Sequence, residues 1–260
     1  PGKYAKREAM KALKNGMHVL LFSDNVTKEE ELELKNYSRD NGLLLMGPDC
    51  GTAMINNVPL GFANKIRKGN IGLVGAAGTG MQEVMVLIHK LGGGISQAIG
   101  TGGRDLSIEI GGITMLQGIE ALNEDDDTKV IVVISKPPAE EISDKVLSYI
   151  KENVKKPVVI NFIGGEKKKV EAIGKVGATT LEEAAVEAVK LAGVNFSSDF
   201  RIGTDEELKA IAKREAKLIK PEQKYLRGLY SGGTLCYESM LVLRDYIGDV
   251  YSNTPLNKTM

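Results

Sequence analysis

Residues 71–85 read IGLVGAAGTGMQEVM, and residues 226–240 read LRGLYSGGTLCYESM. In each stretch an apolar run meets a glycine-rich turn, which is followed by Gly-Thr and then by helix-forming residues. The Gly-Thr pair at 78–79 recurs at 233–234, and the glutamate four residues later recurs with it. A strand that enters a helix through such a turn directs unpaired backbone N–H groups and the positive helix end at one point. The pattern therefore predicts a strand–turn–helix unit whose turn binds an anion.

The same turn also has a purely structural interpretation. A tight strand-to-helix connection needs glycine for its shape alone, with no ligand involved. A packing turn does not, however, need the same polar pair twice. The repetition therefore favours an anion site for phosphate or carboxylate.

The composition excludes several classes of protein. The 260 residues hold 34 Lys and Arg against 34 Asp and Glu, so no overall charge attracts nucleic acid or a membrane surface. No apolar run is long enough to cross a membrane. The two cysteines, Cys50 and Cys236, have no metal-ligand spacing and are typical of a reduced cytoplasmic protein. We therefore expect no metal site.

Short apolar runs alternate with helical patterns along most of the chain, which predicts an α/β protein with a parallel sheet. Residues 1–66 have the pattern of the end of one doubly wound domain, and 67–193 that of a second unit. A charged helix and linker occupy 194–225, and the second copy of the repeat starts at 226. That copy holds only one strand–helix unit, so we expect the chain to be part of a longer protein.

Within these units the pattern gives the individual elements. The predicted strands are 17–23, 43–46, 71–75, 95–100, 129–135 and 157–163. The predicted helices are 4–15, 27–41, 79–91, 111–123, 139–153 and 180–192. The stretch GPDCGTAM after the second strand is expected to be a loop. Thr27 with Glu30 and Thr180 with Glu183 predict two capping boxes.

Ligands of parallel sheets bind outside the carboxyl ends of the strands, and the informative loops follow the strands there. The backbone groups of two glycine-rich loops and of the repeated turn are the candidate anion ligands. They are Gly78, Thr79, Gly80, Gly102, Gly103, Gly233 and Thr234. No lysine follows the turn at 78–80, so it is not a P-loop.

Two cations at strand ends are the candidate catalytic side chains. The guanidinium of Arg104 matches a carboxylate or phosphate, although a structural pair with a neighbouring carboxylate is an equal alternative. Lys136 could be an anion ligand or a solvated surface lysine. His18 and His89, the only histidines, are expected to have structural roles.

These motifs together resemble the succinyl-CoA synthetase superfamily, the NDP-forming acyl-CoA synthetases, and within it the FdrA family. The segments that carry the resemblance are PGKYAKREAMKAL, LLFSDNV, LLMGPDCGTAMINNVPLGFAN, GTGGRDLS, VVISKPP and GLYSGGTLCYESM. The resemblance implies the end of a CoA-binding Rossmann domain at 1–66 and a flavodoxin-like ligase domain at 67–193. It implies the truncated start of a second such domain at 226–260. It also places Cys50 where the family has a motif near the CoA thiol.

The sequence departs from the ligases at the phosphoryl relay. The ligases carry phosphate on a histidine, and the matching stretch EAIGKVGATT (171–180) has none. The relatives have a glutamate that pairs with that histidine, and Lys136 stands in its place. The surviving parts are the two Gly-Thr helix ends, which hold the travelling phosphate in the ligases. The resemblance therefore implies an anion or acyl-phosphate site without a phosphohistidine.

Three functions remain open at this point. FdrA relatives are associated with oxamate carbamoyltransferase activity in allantoin catabolism, which exchanges oxalurate and phosphate with oxamate and carbamoyl phosphate. In that case Arg104 would hold a carboxylate and Lys136 would stabilise charge on the carbamoyl oxygen. The alternatives are an acyl-CoA synthetase subunit and a non-catalytic subunit that binds CoA or a metabolite. All three imply small anionic substrates, partner subunits, and phosphate or CoA as the ligand.

Overall fold

The structure is a computed structural model and describes residues 2–165, 167–196 and 203–256. Its helices, after a short 3-10 turn at Gly2–Tyr4, are α1 (Ala5–Lys14), α2 (Lys28–Asp40), α3 (Gly78–Lys90), α4 (Ile113–Glu124), α5 (Glu140–Asn153), α6 (Lys167–Ala172), α7 (Leu181–Leu191), α8 (Asp205–Ala216) and α9 (Gly233–Ile247). Its strands are β1 (Val19–Leu20), β2 (Leu45–Met46), β3 (Thr52–Ile55), β4 (Val58–Gly61), β5 (Lys68–Gly75), β6 (Ile95–Gly100), β7 (Val130–Ser135), β8 (Val158–Phe162) and β9 (Val176–Gly177). The chain is thus a mixed α/β protein, as its strand–helix alternation predicts.

Two sheets organise the described residues. β1 and β2 form a small parallel pair, which packs with α1 and α2 around Leu13 and Leu34. The main sheet has seven strands in the order β4-β3-β6-β5-β7-β8-β9. The five neighbouring strands β6, β5, β7, β8 and β9 are parallel, and their spatial order is the flavodoxin-like order 2-1-3-4-5.

The edge of the main sheet differs from the prediction. The stretch GPDCGTAM is not wholly a loop, because its last residues form β3, which pairs antiparallel with β6 and with β4. Residues 52–61 therefore belong to the main sheet, although they lie inside the predicted domain 1–66. The division into domains at 66, 193 and 225 stays a prediction.

The main sheet is buried on both faces because its strands are almost continuously apolar. Leu73 and Ile134 point to one face and pack with α3 and α7, whereas Val74 and Val133 point to the other face and pack with α4 and α5. Alternate residues of a strand point to opposite faces, so each strand contributes to both cores.

Two expectations about local structure were wrong. The run LRGLY at 226–230 forms no strand in the described structure, and Leu229 is 99% exposed. A strand needs a neighbour for its backbone groups, and no described strand lies beside this run. The box at Thr180 is only half formed, because Glu183 binds Thr179 N–H at 2.6 Å instead of the backbone of Thr180. The box of Thr27 and Glu30 is complete.

A buried ionic network joins α2 to the loop that follows β6. Lys35 is fully buried, and its Nζ donates to Thr101 O at 2.9 Å and to Asp105 Oδ1 at 2.5 Å. The carboxylate of Asp105 also accepts the backbone N–H groups of Thr114 and Met115 at the start of α4. One carboxylate thus fixes the loop 101–105 to two helices, which holds that loop in place beside the cavity described below.

Candidate functional site

The order in which strands are added to the main sheet reverses at β5, which is the topological switch point of the sheet. From β5 the chain proceeds to β6 on one side and later to β7 on the other, so the loops after these strands diverge and leave a crevice. A cavity of about 360 Å³ occupies this place. Its lining residues come from the carboxyl ends of β5, β6 and β7, from the N-terminal parts of α3 and α9, from the start of β3 and from the loops that follow β1, β2 and β4. They are Phe22, Asp49, Cys50, Gly51, Thr52, Phe62, Gly75, Ala76, Gly78, Thr79, Gln82, Gly100, Gly102, Gly103, Lys136, Gly233 and Thr234.

The N-terminal ends of α3 and α9 meet at this cavity. Neither N-cap residue, Ala77 or Gly232, has a side chain that caps its helix. The first N–H groups of a helix have no partner within the helix, so both ends present donors and a positive dipole end. Gly78 and Gly233, the first residues of the two helices, are both exposed and both line the cavity.

The two copies of the repeat interlock side by side. A Cβ added to Gly80 would lie 2.8 Å from Thr234 Cγ2, and a Cβ added to Gly232 would lie 2.5 Å from Thr79 Cγ2. Each threonine therefore packs on a glycine of the other copy. Gly80 is a packing residue rather than a cavity residue, because it is buried and does not line the cavity. The two repeated threonines thus share one structural role, the close approach of α3 to α9, whereas the repeated Gly78 and Gly233 take no part in this contact.

The glutamate of the repeat also has a structural role in the second copy. Glu238 Oε1 accepts the backbone N–H of Leu181 at 2.7 Å, at the first residue of α7. Burial raises the pKa of Glu238, the carboxylates of Glu83 and Glu182 raise it further, and the hydrogen bond from Leu181 opposes them. The carboxylate therefore fastens α9 to α7.

Lys136 lines the cavity. It follows β7, and its Nζ lies 3.2 Å from the position that a Cβ on Gly233 would take. The side chain is exposed, and among the described residues no carboxylate lies within ion-pair distance of its Nζ. An unpaired ammonium thus adjoins the N-terminus of α9 and adds to the positive potential there.

The contacts of Arg104 are those of a structural ion pair with a neighbouring carboxylate. Its Nε donates to Glu31 Oε2 at 2.9 Å and its guanidinium also donates to Val26 O at 2.7 Å. It does not line the cavity, whereas its neighbours Gly102 and Gly103 do. The guanidinium is committed to α2, so the contacts of Arg104 support the position of the loop rather than ligand binding.

Gly102 has a backbone reason to be glycine. Its φ is +87°, and an added Cβ would lie 2.1 Å from Pro48 O. The loop after β6 therefore lies directly against the chain at 47–49. This contact brings Asp49 to the cavity, where its φ of +58° is also in the left-handed region. Asp49 has a raised pKa because of burial and the nearby Asp24, and the charges of Arg104 and Lys136 oppose that shift.

Cys50 lies at the cavity but is not a reactive thiol. Its Sγ donates to Gly100 O at 3.4 Å, and Thr52 O lies at 3.6 Å. Burial raises the pKa of the thiol to about 11, and the hydrogen bond with the backbone of Thr52 and the charge of Lys35 reduce the shift. Its observed role is to connect the β3 strand to the end of β6.

Both histidines accept backbone N–H groups. His18 Nδ1 accepts from Leu44 at 2.9 Å, and His89 Nδ1 accepts from Arg67 at 3.2 Å. Neither lines the cavity. Their expected structural roles agree with these contacts.

Several cavity residues were not predicted from the sequence. Gln82 donates to Thr52 Oγ1 at 2.7 Å and so braces α3 against β3. Asp49 could have been found, because it belongs to the GPDCGT segment that follows a strand. Phe22 and Phe62 carried no local signal, since each is an isolated aromatic residue in its own loop.

Within residues 2–165, 167–196 and 203–256, no group of His, Cys, Asp and Glu side chains has the geometry of a metal site. In the same ranges every helix is too short or too polar to span a bilayer.

Comparisons with known proteins place the chain among CoA-ligase-type folds. The family described as CoA binding domain matches residues 66–163. The uncharacterized protein YahF of Escherichia coli is 50% identical over 252 residues, which cover 97% of this chain and 48% of YahF. The α subunit of the ADP-forming succinate–CoA ligase of Staphylococcus epidermidis is 30% identical over 153 residues, 57% of this chain and 48% of the subunit. The chain spans about half the length of these curated relatives.

Solved structures agree on the fold. ATP citrate lyase from Methanothrix soehngenii, determined with citrate and coenzyme A, superposes with a TM-score of 0.64 at 18% identity. The match covers 89% of this chain and 45% of that one. PH0766 from Pyrococcus horikoshii superposes with a TM-score of 0.57 at 20% identity and covers 73% and 45%. The similarity to succinyl-CoA synthetase α subunits is thus confirmed, whereas the narrower FdrA assignment stays a prediction.

Proposed function

We propose that the cavity at the switch point binds the phosphate or carboxylate of an acyl compound, in an enzyme related to the acyl-CoA ligases. The observation that carries this proposal is the convergence of two uncapped helix N-termini and the unpaired Lys136 on one cavity. Partner subunits belong to the same proposal, since the similar ligase is named as an α subunit. A cytoplasmic location is also part of the proposal.

The electrostatics of the cavity suit a doubly charged group. Each helix end stabilises a nearby anion by about 0.3–1 kcal/mol when exposed and by up to about 2 kcal/mol when partly buried. A phosphate at Gly78 and Gly233 would receive backbone N–H donors from both ends, together with the ammonium of Lys136. Donors that are fixed before the reaction stabilise developing charge without reorganisation, and one such donor is worth roughly 10²–10³ in turnover.

The reaction that fits this site is acyl transfer between phosphate and CoA. The sulfur of CoA attacks the carbonyl carbon of an acyl phosphate and the thiol loses its proton, while the C–O bond to phosphate breaks. The departing phosphate takes up one proton and leaves as the dianion that the helix ends hold. The match of residues 66–163 to the CoA binding domain family supports CoA as the acceptor. The thiol of Cys50 is not needed in this step, because it is buried and protonated.

A second candidate is carbamoyl transfer of the FdrA type. The carbamoyl group would move from the nitrogen of oxalurate to an oxygen of phosphate, and oxamate would leave. The observation in its favour concerns the histidines. Both histidines of this chain have structural contacts, and residues 171–180 contain no histidine, so this chain offers no phosphohistidine. In this reaction Lys136 would stabilise the carbamoyl oxygen. Arg104 would act as a positioning residue for the loop 101–105.

Two assays separate the candidates. The protein is incubated with acetyl phosphate and CoA, and acetyl-CoA is measured; in parallel it is incubated with carbamoyl phosphate and oxamate, and oxalurate is measured. Acetyl-CoA formation supports the first candidate, and oxalurate formation supports the second. Turnover in neither assay, combined with no binding of inorganic phosphate by calorimetry, would refute the anion site.

Thr79→Ala tests the place of the site. This change removes a hydroxyl at the cavity and should lower phosphate affinity or turnover at least tenfold, and by up to the roughly 10²–10³ in turnover that one fixed donor is worth. Thr204→Ala is the matched control, because Thr204 caps the exposed helix α8 outside the cavity. It should cost about 1 kcal/mol of local helix stability and leave turnover unchanged. Full activity in Thr79→Ala would remove the helix end from the mechanism.

A further inference from the structure

The cavity has a second kind of lining besides the helix ends. Phe22, in the loop after β1, and Phe62, in the loop after β4, both line it. Their ring centroids are 5.5 Å apart, with an angle of 70° between the ring planes. This edge-to-face arrangement is a favourable one for two aromatic rings.

Both rings are unusually open to solvent for their type. Phe22 is 61% exposed and Phe62 is 67% exposed, although they touch each other. Isolated exposed apolar residues are common on protein surfaces. Two phenylalanines that come from separate loops and meet at the wall of a cavity are a different case, because they form a continuous apolar surface beside a polar site.

The backbone holds Phe62 in this position. Its N–H donates to Gly51 O at 2.7 Å, and the preceding Gly61 has a φ of +63°. A Cβ on Gly61 would lie 2.4 Å from Gly51 O, so only glycine allows this approach. A Cβ on Gly51 would lie 3.2 Å from the Phe62 ring and 3.7 Å from the Phe22 ring. Gly51 and Gly61 are thus both needed as glycine, because the two rings and the backbone approach closely there. Gly51 itself lines the cavity.

A cavity of about 360 Å³ is at the lower end of the range for small organic ligands and holds more than a phosphate ion. Ligand sites commonly combine apolar and aromatic walls with a few polar groups that fix orientation. Here the polar groups are the helix ends at Gly78 and Gly233 with Lys136, and the aromatic wall is the Phe22–Phe62 pair.

We propose that Phe22 and Phe62 form a subsite for the apolar part of the ligand, so that the cavity selects an anion bonded to an aliphatic or aromatic group. This inference rests on the proposed function for the anionic end of the ligand and adds the substrate class. It assigns the cavity to acyl compounds with an apolar body. It disfavours oxalurate and carbamoyl phosphate, which have no apolar part for the rings to cover.

Phosphonates test the inference without turnover. Methylphosphonate, butylphosphonate and phenylphosphonate have the same anionic head and differ only in the apolar group, and their dissociation constants are measured by calorimetry. A fully buried methylene strengthens binding by about fourfold. Because the rings are partly exposed, we expect about twofold for each methylene and at least tenfold tighter binding of phenylphosphonate than of methylphosphonate.

Phe62→Ser should reduce this preference to less than threefold and change the affinity for methylphosphonate by less than twofold. Phe62→Leu, which keeps an apolar side chain, should retain most of the preference. Val58→Ser is the matched control, because Val58 is 58% exposed on the same hairpin but does not line the cavity. It should leave all three affinities unchanged. If Phe62→Ser does not fold, as judged by its melting curve, Phe22→Ser replaces it.

The outcomes distinguish this inference from the proposed function. Equal affinities of the wild type for all three phosphonates would overturn the aromatic subsite and leave the anion site standing. A phenyl preference that persists in Phe62→Ser and Phe22→Ser would also overturn it. Binding of none of the phosphonates would overturn both. Phenylphosphonate binding that depends on Phe62 but not on Thr79 would support the subsite and refute the anion site.

Discussion

Gly78→Ala separates ligand binding from folding more sharply than any other change in this chain. Gly78 is the first residue of α3 and lines the cavity. An added Cβ would have a single neighbour within 4 Å, Thr52 Oγ1 at 3.7 Å, which is ordinary contact. Its φ is not in the left-handed region. The methyl group therefore fits the fold and occupies part of the space that a ligand needs beside the backbone N–H groups.

Gly78→Ala should raise the stability of the fold and lower the affinity for phosphate. Alanine is favoured over glycine in a helix by about 0.5–1 kcal/mol, so the free energy of unfolding should rise by up to about 1 kcal/mol. For a chain of this size that corresponds to an increase of at most about 4 °C in melting temperature. Phosphate affinity should fall by roughly tenfold or more, because the ligand can no longer approach the donors closely.

Gly80→Ala is the control on the same helix. The added Cβ would lie 2.8 Å from Thr234 Cγ2 and 3.3 Å from Leu181 Cδ2, inside the contact between α3, α7 and α9. Overpacking of this kind destabilises by about 1–3 kcal/mol. Thermal unfolding followed by circular dichroism and phosphate calorimetry measure both quantities for each variant. Unchanged phosphate affinity in Gly78→Ala, or a fall in its melting temperature of several degrees, would refute the anion site at this helix end.

Three further changes test other parts of the structure. Lys35→Met should destabilise by about 3–5 kcal/mol in urea unfolding, because it removes the buried cation paired with Asp105 and one of the two cations paired with Glu31. Lys35→Met with Asp105→Asn should recover part of this loss. An unchanged free energy of unfolding in Lys35→Met would show that the network is not buried. Because the pKa of Cys50 is raised from 9.0 to about 11, the native state holds this proton more tightly than the unfolded state does. The thiol's contribution to stability should therefore fall as pH rises from about 9 to about 11, and Cys50→Ala should make the decline in stability over this range smaller than in the wild type. Incubation with radioactive ATP or GTP should give no acid-labile label on His18 or His89, and labelling of either would contradict a purely structural role for that histidine.

The strand–helix alternation predicted most of the main sheet correctly. The strand at 95–100 was located to the residue, and the helices from α3 to α7 lie within one or two residues of their predicted bounds, α6 excepted. The reason is local: each element carries its own apolar periodicity and its own end signals. Four elements of the described structure were missed: β3, β4, α6 and β9. The last two are short, and their few residues show no periodicity.

The predictions failed where a partner element decides the outcome. Residues 52–55 form a strand only because β6 and β4 offer their edges, and LRGLY at 226–230 stays irregular because no described strand lies beside it. The carboxylate of Glu183 binds Thr179 and Lys167 instead of completing a capping box, since Lys167 lies 2.6 Å away across the loop. Contacts with residues that are distant in the sequence determine these outcomes, and a local sequence pattern does not contain that information.

The amino-acid sequence is enough to show that glycine-rich turns and Lys136 follow successive parallel strands, because strand direction follows from the alternation of elements and fixes the edge where the turns lie. The packing of the two Gly-Thr turns against each other depends on the folded chain, since that contact joins α3 to α9, which are far apart in the sequence. It also decided that Arg104 is engaged by Glu31 of α2, and that Phe22 and Phe62 meet at the cavity. These are contacts between residues far apart in the chain, and such contacts arise only when the packed sheet and helices bring separate loops to one place.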